Sequence, residues 1–98
     1  MAFVQLIEYT TSKPEEVQKV LEQWEQSSQG KRTARRLVLG RDRNDPTRYC
    51  EIVFFDSYES AMENSDLPET QENARKLMEL MNGEPVFRDL DVVEEREL

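Results

Sequence analysis

The densest apolar run is Arg48-Tyr49-Cys50-Glu51-Ile52-Val53-Phe54-Phe55-Asp56-Ser57, rich in β-branched and aromatic residues and preceded by the turn signal Asn44-Asp45-Pro46. It predicts a buried strand running into the cap of a helix. Tyr49, Glu51, Val53 and Phe55 share one face of that strand, and Cys50, Ile52 and Phe54 the other. Phe3 to Tyr9 alternates in the same way, with Phe3, Gln5, Ile7 and Tyr9 against Val4, Leu6 and Glu8. Both strands are largely apolar on both sides, which places them centrally in a sheet covered on two faces.

Between them, Ser12-Lys13-Pro14-Glu15 reads as a capping box opening a helix, and Val17, Val20, Leu21 and Trp24 fall at i, i+3, i+4 and i+7. That helix ends at Ser27-Ser28-Gln29-Gly30, with Gly30 available for a left-handed cap. Thr33 to Leu39 predicts a second strand, Ala34, Arg36 and Val38 opposing Thr33, Arg35, Leu37 and Leu39. Arginine therefore points to both faces, and one of the pair must be ion-paired or snorkel at an edge. Gly40 to Thr47 is a polar connection into the third strand. Asp56 or Ser57 caps a short helix from Tyr58 to about Asn64, with Ala61 and Met62 inward. A second start signal, Ser65 to Glu69, precedes a helix with Ala74, Leu77, Met78 and Met81 at helical spacing, which stops at Asn82-Gly83. Val86 to Val93 is the last strand, and Glu94 to Leu98 an acidic tail.

The order β-α-β-β-α-β predicts an α+β, ferredoxin-like fold with helices on one face of a four-stranded antiparallel sheet. The other face is left bare, with Val4, Leu6, Ile52, Phe54, Leu90 and Val92 forming an apolar patch too large for a lone protomer. Two such sheets packed face to face across a two-fold axis would bury it, so a homodimer is expected.

The 98 residues are expected to form one domain, 1–98, whose core gains from burial shared with a partner. No apolar run reaches membrane-span length and Met1 to Thr11 lacks a signal-peptide pattern, so a cytoplasmic protein is expected. The net charge of −8 argues against nucleic acid or an anionic membrane as partner. Charge is uneven: residues 31–48 hold seven basic and two acidic residues, a net of +5, and the remainder carries −13. Pairing of this basic segment with the acidic helices and acidic C-terminus, of this chain or a partner, is the expectation. An anion-binding patch is the alternative.

Chemistry-bearing residues are sparse. There is no histidine, so the commonest acid-base group and imidazole ligation are absent. The lone cysteine, Cys50, is expected as a buried structural thiol, and no cofactor or metal site is indicated. The glycines at 30, 40 and 83 are isolated, which excludes a phosphate loop. Glu51 is the odd residue on its strand. It either pairs with Arg36 or Arg35, or faces a wet pocket as a candidate base with a raised pKa. Arg48 to Phe55 has a faint likeness to an RNA-binding strand, but Tyr49 replaces its glycine, Cys50 its first stacking aromatic, and the net charge has the wrong sign.

The strand leading into Lys13-Pro14-Glu15, the Trp24 helix, Asp45-Pro46-Thr47-Arg48-Tyr49 and above all Phe55-Asp56-Ser57-Tyr58-Glu59-Ser60-Ala61 make the chain resemble the dimeric α+β barrel superfamily. Within it, the likeness is to the antibiotic-biosynthesis monooxygenase-like domains. That resemblance implies a dimeric barrel and either a cofactor-independent oxygenase acting on phenolic, polyketide-like molecules or a relative without known activity. In the haem-degrading branch an Asn, a Trp and a His fall at Ile7, Phe55 and Asn64 here, and all three are replaced. The resemblance implies a pocket between sheet and helices, with Ile7, Tyr9, Trp24, Tyr49, Phe55 and Met62 as ligand-binding candidates. Glu51, Asn64 and Tyr58 are the candidates for chemistry. A small apolar, aromatic ligand is the expected occupant.

Overall fold

The computed structural model describes residues 2–98. Its elements are β1 (Phe3–Thr10), α1 (Pro14–Ser27), β2 (Arg36–Arg41), β3 (Arg48–Phe55), α2 (Tyr58–Asp66), α3 (Pro68–Leu80) and β4 (Val86–Asp91). The strands form one sheet in the order β2-β3-β1-β4, with every neighbouring pair antiparallel. This is the expected ferredoxin-like arrangement, its second helical segment split in two at Leu67.

Register decides which residues meet the helices. The pairs Phe3 with Phe55, Ile7 with Glu51 and Tyr9 with Tyr49 put these side chains on one face. There Phe3, Val53 and Phe55 pack with Ala61 of α2, and Tyr9 packs with Val17 of α1 and Leu77 of α3. The opposite face carries no helix. Val4, Leu6, Val38, Ile52 and Phe54 are half-buried on it, and Val86 and Leu90 of β4 are 52% and 47% exposed.

Several boundaries differ from the sequence reading, each for a local reason. The strand expected from Thr33 begins at Arg36, because Thr33 is bonded to α2 instead: its amide donates to Asn64 Oδ1 (3.2 Å) and its hydroxyl to the Ser60 carbonyl. At its other end β2 takes in Gly40, opposite Cys50, and the turn is built on Asp42 Oδ1, which accepts from the Asn44 and Asp45 amides. β4 stops at Asp91 rather than Val93, since its partner strand begins at Phe3. The capping box expected at Ser12 does not form. Lys13 stands at the cap of α1 with no side-chain bond to the helix amides, and the buried Thr11 fixes the turn before it, accepting from the Lys13 amide (3.0 Å) while donating to the Leu80 carbonyl (2.6 Å). A reciprocal box is present at α2, between Ser57 and Ser60.

The inward stripe of α3 is also rotated from the expected one. Leu77 is buried and Leu80 and Met81 are part-buried, whereas Ala74 is exposed and Met78 is 49% exposed. Thr70 and Asn73, both polar, lie on the half-buried side, because Thr70 receives the Trp24 indole N–H at 3.1 Å where α1 meets α3. Gly30 and Gly83 sit at φ of 80° and 83° in the turns that follow α1 and α3, two residues beyond the caps Ser28 and Met81, where the left-handed backbone favours glycine.

Candidate functional site

On the helix-covered face Glu51 is the unusual group. It is only 2% exposed, and Tyr9 Oη donates to its Oε2 at 2.8 Å. The register makes this a diagonal cross-strand pair, because Tyr9 lies opposite Tyr49, two residues from Glu51. No arginine reaches Glu51, which corrects the expected pairing. Arg35 donates instead through Nε and Nη2 to the single oxygen Oδ2 of Asp56 (3.0 and 2.7 Å), and Arg36 lies over the Phe54 ring, 5.2 Å from its centroid, on the helix-free face. Burial pushes the Glu51 carboxyl above the ordinary value of 4.5, and the Tyr9 hydrogen bond acts in the opposite direction. Burial first, and Glu51 second, push the Tyr9 hydroxyl far upward as well. The pair therefore holds its protons tightly.

The other candidates that the sequence suggests fall around two packed clusters. Ile7, Tyr9 and Tyr49 belong to the cluster against α1 and α3, where the Tyr9 and Tyr49 rings stack at 6.3 Å. Phe55 and Met62 belong to the cluster against α2, and Tyr58, half-exposed, meets Phe3 edge-on at 5.5 Å. Asn64 is buried with its side chain committed to the Thr33 amide. Side chains thus occupy the space expected to be a pocket. Trp24 stands apart from both clusters, at the border of the open volume.

That volume lies one strand further out. A cleft of about 540 Å³ runs between α1 and the edge strand β2, with Leu21 and Trp24 on one wall, Leu37 and Leu39 on the other, and Ala34 at its end. Leu39 is the cross-strand neighbour of Glu51, so the cleft and the buried carboxyl are separated by one strand spacing. Arg32 closes the rim near Trp24, its guanidinium 5.5 Å above the indole. Of these residues only Trp24 is singled out by the sequence. Leu37 and Leu39 share a face of β2, an alternation that marks a strand facing the core as readily as one facing a cleft.

The basic segment is only partly neutralised. Lys31 reaches Glu69 of α3 (3.0 Å) and Arg35 reaches Asp56, while the acidic tail pairs locally, Glu94 with Arg96. Cys50 is half-buried on the helix-free face rather than fully buried, and burial raises its thiol pKa. Among the described residues no group of three or more His, Cys, Asp or Glu is placed to hold a metal ion. No helix among them is long and apolar enough to cross a membrane.

No family model and no curated protein matches the sequence. Solved structures do match its fold. SnoaB, a cofactor-independent oxygenase from Streptomyces nogalater, solved as an asparagine-to-alanine variant, superposes with a TM-score of 0.81 at 15% identity, covering 96% of this chain and 95% of that one. A protein from Caulobacter crescentus described as an antibiotic biosynthesis monooxygenase gives 0.81 at 17% identity, over 95% and 91% of the two chains. Rv0793 from Mycobacterium tuberculosis gives 0.80 at 10% identity, over 99% and 100%. Identities this low speak to the backbone alone: with its strand order and helices on one face of the sheet, this chain has the fold of the antibiotic biosynthesis monooxygenase-like structures.

Proposed function

We propose that the protein is a homodimer that binds a small, apolar aromatic molecule between helix and sheet, in the cleft bounded by α1 and β2. The observation that carries this reading is the cleft itself. Its volume of about 540 Å³ lies within the range of roughly 300–1,000 Å³ typical of small-molecule sites, and Leu21, Trp24, Ala34, Leu37 and Leu39 give it apolar walls. Ile7, Tyr9, Tyr49, Phe55 and Met62 support the floor behind it rather than facing the ligand. The helix-free sheet face, with Val4, Leu6, Ile52 and Phe54 half-buried in a lone protomer, supports association with a second copy.

Trp24 is the only tryptophan, and its indole borders this cleft on one side and a hollow of about 460 Å³ between α1 and α3 on the other, so a variant in β2 is needed to assign the quenching. Titration with a planar naphthoquinone should quench it saturably, and Leu37→Lys should abolish the quenching while the fold, read by circular dichroism, is kept. Unsaturable, collisional quenching in the native protein would sink the proposal.

The buried Glu51 favours a second reading, a cofactor-independent oxygenase acting on a phenolic or polyketide-like substrate, in line with the likeness to SnoaB. Burial moves the carboxyl toward the pKa that a general base needs near neutral pH. Glu51 would take the substrate proton and the resulting carbanion would add O2, giving a hydroperoxide that loses water to leave the oxidised ring. Asn64, through its amide nitrogen, and Tyr58 lie on the α2 side and would meet only the far end of a substrate long enough to span both clusters. Oxygen consumption with anthrone-like or hydroquinone substrates tests it. Turnover lost in Glu51→Gln and Asn64→Ala supports the enzyme, and no uptake by the native protein retires it while leaving the binding reading in place.

A further inference from the structure

We infer that the cleft prefers planar aromatic ligands bearing an acidic group, a carboxylate or phenolate, and that Arg32 sets this preference. The inference rests on the cleft being the ligand site. Five charged side chains border it: Glu22, Glu25, Arg32, Arg35 and Arg36. Two of the three arginines are spent. Arg35 is neutralised by Asp56, and the Arg36 guanidinium lies over Phe54 on the opposite face of the sheet. Glu22 and Glu25 are exposed on α1, where water and salt screen their charge.

Arg32 differs from all four. It is half-buried, its guanidinium is stacked on the Trp24 indole, and Nη1 is held by the Glu25 carbonyl (2.6 Å) and Ser28 Oγ (3.2 Å). Neither partner is a carboxylate, and among the described residues no ion pair neutralises it. The bonds that its guanidinium makes within the chain all use Nη1, which leaves Nε and Nη2 free to donate. The cation is thus fixed in place with its charge unanswered, beside an aromatic face and apolar walls. A ring lying on Leu37, Leu39 and Trp24 with its acidic group at the rim would supply the missing anion. A guanidinium already held in position loses little freedom when it binds one.

Calorimetric titration with three probes sharing one ring system tests this: 2-naphthoate, 2-naphthamide and 2-naphthylmethylammonium, at neutral pH and low salt. Naphthoate should bind at least about tenfold tighter than the amide, the scale of one charge-assisted hydrogen bond, and the ammonium should be weakest. Arg32→Gln should bring naphthoate down to the affinity of the amide while the amide itself stays within about twofold, and Arg35→Gln should leave the preference intact. Equal binding of naphthoate and naphthamide, tighter binding of the ammonium, or a preference that survives Arg32→Gln would overturn the inference and leave the cleft reading standing. Binding of none of the three would remove both.

Discussion

At the scale of single residues, the Glu51–Tyr9 pair is where the molecule departs most from a plain apolar core. A carboxyl raised by burial takes up its proton at higher pH when folded than when unfolded, so folding is favoured while both states are protonated and loses ground as pH rises above 4.5 through the folded-state value. Urea denaturation across that window should show stability falling with pH in the native protein and a flatter profile in Glu51→Gln. Equal slopes in the two proteins would show that Glu51 ionises as readily inside as out. Tyr9→Phe removes the one side-chain hydrogen bond that Oε2 receives among the described residues, and an orphaned buried acceptor costs about 1–3 kcal/mol. The denaturation midpoint should drop accordingly, and the Glu51 titration should move further up. The sequence flags Glu51 as out of place on its strand but points to the wrong partner. Arginine is the obvious counter-charge, and only the register between β1 and β3 reveals that a tyrosine two positions diagonal from it is closer.

Among the elements, β1, α1 and β3 are legible in the sequence because their apolar periods are long and unambiguous. Pattern fails where a polar side chain bonds to a neighbouring element, which no local period records. Thr33 has strand propensity but is held by Asn64 and Ser60, so β2 starts late. Ser12 has the spacing of a cap, yet no side chain caps α1, and it is Thr11 that holds the turn before it, because its hydroxyl also reaches the end of α3. Thr11→Val, which keeps the shape and loses both bonds, should cost about 1–3 kcal/mol, whereas Ser12→Ala should fall within about 0.5 kcal/mol of the native protein. Chemical denaturation of the two variants gives the comparison, and a larger loss from Ser12→Ala would contradict the role given to Thr11. The α3 stripe is rotated for a related reason: the Trp24 indole N–H needs an acceptor, and Thr70 supplies it on the face that apolarity alone would turn away.

For the whole molecule, the sheet has one face covered by helices and one that no helix covers. Element order, topology and the identity of both faces follow from the alternation of residues along the strands. The cleft does not, because it depends on how far α1 stands from an edge strand, a distance set by packing and not by pattern. If a second copy covers the helix-free face, Ile52→Glu should produce monomers in sedimentation equilibrium while Met78→Glu, equally apolar in origin but on the helix side, should not. Monomeric native protein at micromolar concentration would contradict the dimer. Ligand binding in the cleft is tested most directly by methyl-resolved NMR of the native protein titrated with 2-naphthoate. The largest shifts should fall on the methyls of Leu21, Ala34, Leu37 and Leu39, with Val4, Leu6 and Ile52 unmoved. Shifts confined to the helix-free face, or none in the cleft, would contradict it.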